Sequence, residues 1–238
     1  MDGVTGQIML SDFRDAYNGV LDETPGTPYS LYVEYLLNDR QSPSVGYWTE
    51  YLDGILPCIF PPLVNPDHAH RPQALSSADL NFGSTSRLRQ FCCKSGITIS
   101  SVLRVAWGLV LRAYTGSDAV CFGYLTSGRD IPLHGASTIA GPLINLLVCR
   151  LSFACDTSIM SLLQDDQTSH GRSIENQNWS MAEVLRSLGL SGQPLFNTAM
   201  SLQNQHSVED SEHGSRAANL MPEGGHDSTE VCVPSNII

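Results

Sequence analysis

Two nearly continuous apolar segments, residues 119–125 and residues 144–153, limit most strongly what this chain can fold into. The second contains a single charged side chain, Arg150, which we interpret as a structural ion-pair former. Segments with so few polar positions are typical of strands that are covered on both faces of a sheet. They follow the strongest helical pattern of the chain, residues 99–114, and the combination predicts an α/β fold.

Further elements are predicted from apolar spacing and from residues that start or end helices. The predicted helices are residues 4–17, 31–37, 43–53 and 86–95, and two that begin near Ile159 and Ser180. A third strand is predicted at residues 195–202, followed by a polar loop at 205–229. For the helix 99–114 we expect a buried face made of Leu103, Ala106, Trp107, Val110 and Tyr114, and for the pair Asp165–Asp166 a solvated face.

The stretch from residue 56 to residue 78 is rich in proline and histidine and shows no period. It predicts an extended linker that separates residues 1–55 from residues 79–238. His68 and His70 lie in this stretch and are interpreted as solvated linker histidines. Two histidines one residue apart could also ligate a metal, but their Pro-rich surroundings favour the linker interpretation. The chain contains no P-loop, GxGxxG, HExxH or GxSxG motif, so generic motifs predict neither a metal site nor a reaction.

The charge, the apolar stretches and the cysteines of the chain limit its partners and its cellular compartment. The chain carries 24 acidic and 13 basic residues, a net charge of -11, which disfavours nucleic acids and anionic membranes because neither would be neutralised. No apolar stretch reaches the roughly 20 residues of a membrane span, and no signal peptide is recognisable. The seven cysteines form no CxxC pair, which indicates free thiols and a cytoplasmic protein.

Six segments, in order along the chain, resemble the condensation domain of fungal-type nonribosomal peptide synthetases. They are residues 47–52 (YWTEYL), 56–63 (LPCIFPPL), 121–130 (CFGYLTSGRD), 139–150 (IAGPLINLLVCR), 188–198 (LGLSGQPLFNT) and 225–230 (GHDSTE). One short motif would be weak, but six in the right order are specific.

The start of the chain resembles the end of the family's HHxxxDG motif, with Asp2 and Gly3 as its last two residues. The catalytic histidine of that motif would lie four residues before Asp2, so we expect a domain truncated at both ends and inactive as this chain. The alternative is an ordinary start codon ahead of an Asp-Gly turn.

The resemblance implies a two-lobed fold similar to chloramphenicol acetyltransferase, with residues 1–55 as the remainder of the N-terminal lobe and 79–238 as part of the C-terminal lobe. It also implies amide-bond formation between acyl and aminoacyl thioesters. These are held on phosphopantetheine by two partner carrier proteins, within a larger set of synthetase domains. The chain would need no cofactor of its own.

The resemblance also assigns site residues. Asn145 would face the substrate tunnel, or else would hold strand hydrogen bonds. Asp2, Gly3, Arg129 and Gly141 would be structural at the site, with Asp2 and Arg129 paired within about 4 Å, although Arg129 could also be a solvated turn residue. The polar residues Ser201 and Gln203 after the third strand would bind substrate.

Two other functions stay open at this point. One is a non-catalytic module that binds a carrier protein or another synthetase domain. The other is a CoA-dependent acyltransferase of the same superfamily, against which the segment containing Asn145 and Arg150 counts.

Overall fold

The protein is described by a computed structural model over residues 2–22, 24–38, 44–61 and 85–202. In chain order its elements are α1 (Gly3–Tyr17), α2 (Tyr29–Asn38), α3 (Ser44–Tyr51), α4 (Ser86–Ser95), α5 (Ile99–Thr115), β1 (Ala119–Thr126), a 3₁₀ turn (Ala136–Thr138), β2 (Asn145–Ser152), α6 (Ile159–Glu175), α7 (Met181–Ser187) and β3 (Ala199–Met200). The predicted α/β class is confirmed.

The helices begin and end at residues suited to the task. Thr98 and Ser158 accept hydrogen bonds from the backbone N–H of Ser101 and Ser161, and so cap α5 and α6. The Ser180 side chain caps α7 in the same way, by accepting a hydrogen bond from the backbone N–H of Glu183. Gly116 ends α5 in the left-handed region, with φ of 68°, where a glycine carries no Cβ penalty.

The three strands form one mixed sheet in the order β2-β1-β3. β1 and β2 are antiparallel from the pair Ala119–Ser152 to the pair Thr126–Asn145, and β1 and β3 are parallel. The predicted strand 195–202 is shorter than expected, since only Ala199–Met200 forms strand and Phe196 makes an isolated bridge to Cys58. Its other residues bond to the segment 58–60 through Leu195 and Asn197.

The main core lies between this sheet and helices α3, α5, α6 and α7. Trp48 and Leu52 are fully buried there, and Trp48 stacks on Trp179 with ring centroids 4.2 Å apart. Residues 44–61 therefore share a core with β1 and β2. Most of the predicted linker 56–78, from residue 62 onward, lies outside the described residues, and the division into lobes stays a prediction.

The predicted buried face of α5 was wrong in part, since Leu103 and Trp107 are half-buried against the main core but the other three residues are not. Ala106, Val110 and Tyr114 are exposed, and the helix instead buries Ser101, Arg104, Val105, Gly108 and Leu111. Two contacts explain the rotation. Arg104 pairs with Asp166 on α6, and Gly108 lies so close to β2 that an added Cβ would come within 2.3 Å of Leu151 Cδ1.

Arg150 also has other partners than expected. Its Nη1 atom donates to the backbone carbonyls of Tyr51 and Asp53, both at 2.8 Å, and makes no carboxylate contact among the described residues. These bonds tie β2 to the end of α3, where helix carbonyls lack intrahelical partners.

A second, smaller core lies under α2. Tyr32 packs there with Ile139 and Leu143, the residues on either side of Gly141 in the segment that leads into β2. Helix α2 thereby covers the loop between β1 and β2, and this loop carries two of the predicted site residues, Arg129 and Gly141.

Candidate functional site

The predicted ion pair between Asp2 and Arg129 is present. Arg129 Nη2 lies 3.2 Å from both carboxylate oxygens of Asp2, and the two side chains are only 7% and 5% exposed. The pair joins the start of α1 to the turn after β1. A solvated turn arginine, the alternative interpretation, is excluded by this burial.

Asp2 also receives three hydrogen bonds from uncharged groups. Its Oδ1 atom accepts from the backbone N–H of Thr5 at 2.8 Å and from the Thr5 hydroxyl at 2.6 Å, and its Oδ2 atom accepts from the N–H of Leu143 at 3.1 Å. Burial by itself raises the pKa of the Asp2 carboxyl. The bonds from Thr5 and Leu143, together with the charge of Arg129, outweigh burial and lower that pKa to about 2.

Arg129 organises the loop between β1 and β2. Its Nη1 atom donates to the carbonyls of Ala136 at 3.0 Å and Ile139 at 2.9 Å, and its Nη2 atom also reaches the carbonyl of Gly141 at 3.4 Å. The Nε atom is buried and has no hydrogen-bond partner in the described part of the chain. The planar guanidinium thus ties one carboxylate to several carbonyls, which a lysine could not reproduce.

Glycines allow the close approach of these segments. A Cβ on Gly128, whose φ is 64°, would lie 1.7 Å from the carbonyl oxygen of Leu143, and one on Gly141 would lie 2.2 Å from the Tyr29 ring. Gly3 opens α1, is exposed and has no atom within 4 Å of an added Cβ. The predicted structural roles of Gly3 and Gly141 stay predictions, and of the two only Gly141 is closely packed.

Asn145, the first residue of β2, is half-buried and hydrogen-bonded. Its Nδ2 atom donates to the carbonyl of Gln177, and its Oδ1 atom accepts from the N–H of Leu146 at 3.2 Å. Gln177 is itself 2% exposed and bonds to the carbonyl of Asp130 and the hydroxyl of Thr126. The tunnel-facing role of Asn145 stays a prediction.

The remaining predicted site residues follow β3. Ser201 is half-buried just after that strand, and Gln203 lies outside the described residues. Their predicted contact with substrate is therefore untested. Among the described residues no group of three or more His, Cys, Asp or Glu side chains is placed to hold a metal ion.

The structure also contains a buried polar cluster that the sequence interpretation missed. Arg104 binds Asp166 through Nε and Nη2, at 2.8 Å for the shortest contact, and both side chains are at most 3% exposed. The expectation that Asp165–Asp166 is a solvated pair is wrong for Asp166 and right for Asp165, which is exposed. The one signal in the sequence was Arg104, which interrupts an apolar stretch.

Aromatic and sulfur groups complete this cluster. The Arg104 guanidinium lies over the Tyr124 ring, 5.3 Å from its centroid, and the Tyr124 hydroxyl lies 3.2 Å from Nδ1 of His170. Burial and the charge of Arg104 lower the pKa of His170 to about 4, and burial raises the pKa of the Cys149 thiol. The imidazole is thus neutral and the thiol protonated at neutral pH, so the cluster offers neither a ready proton nor a thiolate.

No single helix among the described residues has the length and hydropathy of a membrane span. Helices α4 and α5 reach that threshold only when counted together, and they meet at an angle of 105°.

Comparison with known proteins gives one consistent family. The family model described as "Condensation domain" matches residues 1–227. The chain is 40% identical over 232 residues to nonribosomal peptide synthetase ungA' of Aspergillus campestris, covering 97% of this chain and 2% of that protein. It is 36% identical to D-lysergyl-peptide-synthetase subunit 1 of Epichloe festucae var. lolii, covering 100% of this chain and 7% of that protein. The chain therefore spans less than a tenth of the length of these relatives.

Solved structures agree on the fold. The first condensation domain of the CDA synthetase superposes with a TM-score of 0.67 at 16% identity, over 86% of this chain and 47% of that one. A structure described as CT superposes with a TM-score of 0.62 at 22% identity, over 85% of this chain and 44% of that one.

Proposed function

This chain belongs to the condensation-domain family of nonribosomal peptide synthetases, and we propose that its residues form part of a site that joins two carrier-bound thioesters through an amide bond. The observation that carries the proposal is the buried Asp2–Arg129 pair, which holds the start of α1 against the segment that leads into β2. The partners would be carrier proteins loaded through phosphopantetheine and neighbouring synthetase domains.

In the proposed reaction the amine nitrogen of one substrate attacks the thioester carbonyl carbon of the other. A C–N bond forms and the C–S bond breaks, and the proton lost by the amine balances the one gained by the departing thiol. Bringing two tethered reactants together supplies much of the rate, because the effective concentration of each is high. The Asp2–Arg129 pair supports the geometry and does not react.

Asn145 fits a contact with the amine. One N–H of its Nδ2 atom is engaged by Gln177, and its Oδ1 atom, whose present bond to Leu146 is local, is the acceptor that an amine would contact. An amide oxygen accepts a hydrogen bond from an attacking amine and cannot act as a base at neutral pH. We therefore propose that Asn145 orients the amine.

Within these 238 residues no histidine precedes Asp2. We propose that the 238 residues, prepared as a separate protein, do not condense two loaded carriers, since loss of a general base usually lowers a rate by about 10² or more. Mass spectrometry of the acceptor carrier measures the product. An amide product formed at the rate of a complete condensation domain would contradict this proposal.

A chimera tests whether the segment supports catalysis. Residues 1–227 replace the matching part of the condensation domain in a 40%-identical relative, which supplies the rest of that domain. We expect amide product from the chimera and its loss in the Arg129→Ala version. A folded chimera that binds loaded carriers without forming product would favour the non-catalytic binding module, and transfer from a soluble CoA thioester would favour the CoA-dependent acyltransferase.

Localisation in the cytoplasm also stays a proposal. The six cysteines of the described residues are all unbonded, which suits a reducing compartment.

A further inference from the structure

Thr5 occupies a position between the two charged residues of the site and the backbone of Gly141. It is 4% exposed and lies in the first turn of α1. Its hydroxyl contacts Asp2 Oδ1 at 2.6 Å, the Gly141 carbonyl at 2.8 Å, the Gly141 N–H at 3.0 Å and Arg129 Nη2 at 3.5 Å. All four contacts converge on one oxygen atom.

Neither charged neighbour can replace this hydroxyl. The Arg129 guanidinium only donates hydrogen bonds, so it cannot accept from the Gly141 N–H, and the Asp2 carboxylate only accepts, so it cannot supply the hydrogen that Thr5 donates to Asp2 Oδ1. A hydroxyl both donates and accepts. Its single hydrogen goes to the charged acceptor, Asp2 Oδ1 at 2.6 Å, and its oxygen accepts from the Gly141 N–H at 3.0 Å, while Arg129 Nη2 reaches the Gly141 carbonyl at 3.4 Å. Thr5 is therefore the side chain that links the Asp2 carboxylate to the Gly141 N–H.

The contact between Thr5 and Gly141 matters because Gly141 lies in the segment that leads into β2. Gly141 lies four residues before Asn145, and between them the N–H of Leu143 binds the second oxygen of Asp2. Thr5, in α1, and Leu143, in the segment before β2, thus bind the two oxygens of the same carboxylate. Movement of Gly141 away from Thr5 would shift the start of β2 relative to α1.

We propose that Thr5 is a positioning residue, whose hydroxyl fixes the separation between the start of α1 and the start of β2 at the condensation site. The relevance to the reaction rests on the proposed function. The hydrogen-bond role does not, and it is testable on the 238-residue chain without measuring condensation.

The test uses Thr5→Val, which keeps the side-chain shape and removes the hydroxyl, and Thr5→Ser, which keeps the hydroxyl. Thr168→Val is the matched control, because the Thr168 hydroxyl bonds to the Gln164 carbonyl within α6. The carboxyl of Asp2 is titrated by NMR in each variant. Exchange of the Gly141 amide hydrogen is measured at neutral pH.

The expected results separate a hydrogen-bond role from a packing role. In wild type, Thr5→Ser and Thr168→Val, the pKa of Asp2 stays near 2, and in Thr5→Val it rises toward its ordinary value of 3.8. The Gly141 amide should exchange about tenfold faster or more in Thr5→Val alone, because its acceptor is lost.

An unchanged Asp2 titration in folded Thr5→Val would overturn the proposal, and so would Thr5→Ser behaving like Thr5→Val. If Thr5→Val does not fold, Thr5→Ala replaces it, since alanine requires less space. Failure of both to fold would also overturn the proposal, because Thr5 would then maintain the fold and not the site. A chimera inactive despite the expected titrations would contradict only the proposed function.

Discussion

At the scale of single residues, Asp2 and Arg129 depend on each other. Each is buried, and each would be left as an uncompensated charge without the other. We expect Asp2→Asn and Arg129→Ala each to cost about 3–5 kcal/mol of unfolding free energy, mostly from stranding the partner. The double variant should cost far less than the sum, as urea unfolding of the four proteins can show. Losses that simply add would mean that the pair is not coupled.

Asp165 and Asp166 provide a matched comparison of adjacent carboxylates. Asp166 is buried against Arg104, whereas Asp165 is exposed, 3.5 Å from the Ser161 hydroxyl. We expect Asp166→Asn to cost about 3–5 kcal/mol, because Arg104 loses its counter-charge in the core. Asp165→Asn should cost less than about 1 kcal/mol. Equal losses in thermal or urea unfolding would contradict the assignment of Asp166 to the core.

Replacing both members of the buried pair tests how much its charge matters. Buried ion pairs gain little net stability because desolvation offsets attraction. Arg104→Met combined with Asp166→Leu should therefore recover most of the loss seen in Asp166→Asn.

At the scale of elements, the turn after β1 has to bring Arg129 toward Asp2. Gly128 allows this for two reasons. Its backbone adopts the left-handed conformation, and its missing side chain leaves room for the Leu143 carbonyl oxygen, which would lie 1.7 Å from an added Cβ. Gly116 has a similar φ, 68°, but open space around it. We expect Gly116→Ala to cost about 1–2 kcal/mol for its backbone conformation alone. Gly128→Ala should cost about 1–3 kcal/mol more, from the clash with backbone. Equal costs in urea unfolding would show that the loop is free to move away.

Helix α5 shows how far sequence patterns reach. Its bounds were predicted to within a residue, since Gly116 ends it and its apolar content is high. Its rotation was not, because pattern analysis places an arginine outward. Arg104 is buried only because Asp166, 62 residues later, lies against it on α6. Spacing along one helix cannot reveal a partner so distant in sequence.

The candidate site also shows that local sequence patterns do not reveal partners that are distant in sequence. The Asp2–Arg129 pair spans 127 residues and was predicted from family resemblance, because no local period connects the two. The roles of Thr5 and Gln177 were missed, since a threonine in a first helical turn and a glutamine after a helix are ordinary. Only their buried hydrogen bonds distinguish them.

At the scale of the whole molecule, stability should decrease as the pH falls below about 6.5. The pKa of His170 is lowered from 6.5 to about 4, first by burial and then by Arg104, so the folded protein binds fewer protons than the unfolded chain between these values. Stability from this group is complete above pH 6.5 and is lost toward pH 4. The pKa of Asp2 is lowered from 3.8 to about 2, so this carboxyl adds a second loss of stability as the pH falls from 3.8 toward 2. His170→Gln should flatten the first decrease and leave the second, as unfolding midpoints measured from pH 8 to pH 3 would show.

A second whole-molecule property follows from the outer side of α1. Leu10, Phe13 and Tyr17 recur on one face at helical spacing, and they are 63%, 62% and 72% exposed. Contiguous apolar surface of this kind drives association, because burying it removes it from water. The net charge of -11 opposes association through repulsion between copies. Salt weakens only the repulsion, and this difference allows the two effects to be separated.

We therefore expect the chain to self-associate, and to do so more strongly as salt rises. At about 0.15 M ionic strength the Debye length is about 8 Å, and at 1 M it is about 3 Å, so repulsion weakens while the apolar attraction persists. Sedimentation velocity at several protein and salt concentrations measures this. Leu10→Lys with Phe13→Lys should favour the monomer. The control, Gln7→Lys with Asn18→Lys, makes the same charge change at exposed polar positions near the same helix and should still associate. A monomer at all salt concentrations would contradict an apolar contact through α1, and association that weakens with salt would point instead to an ionic one.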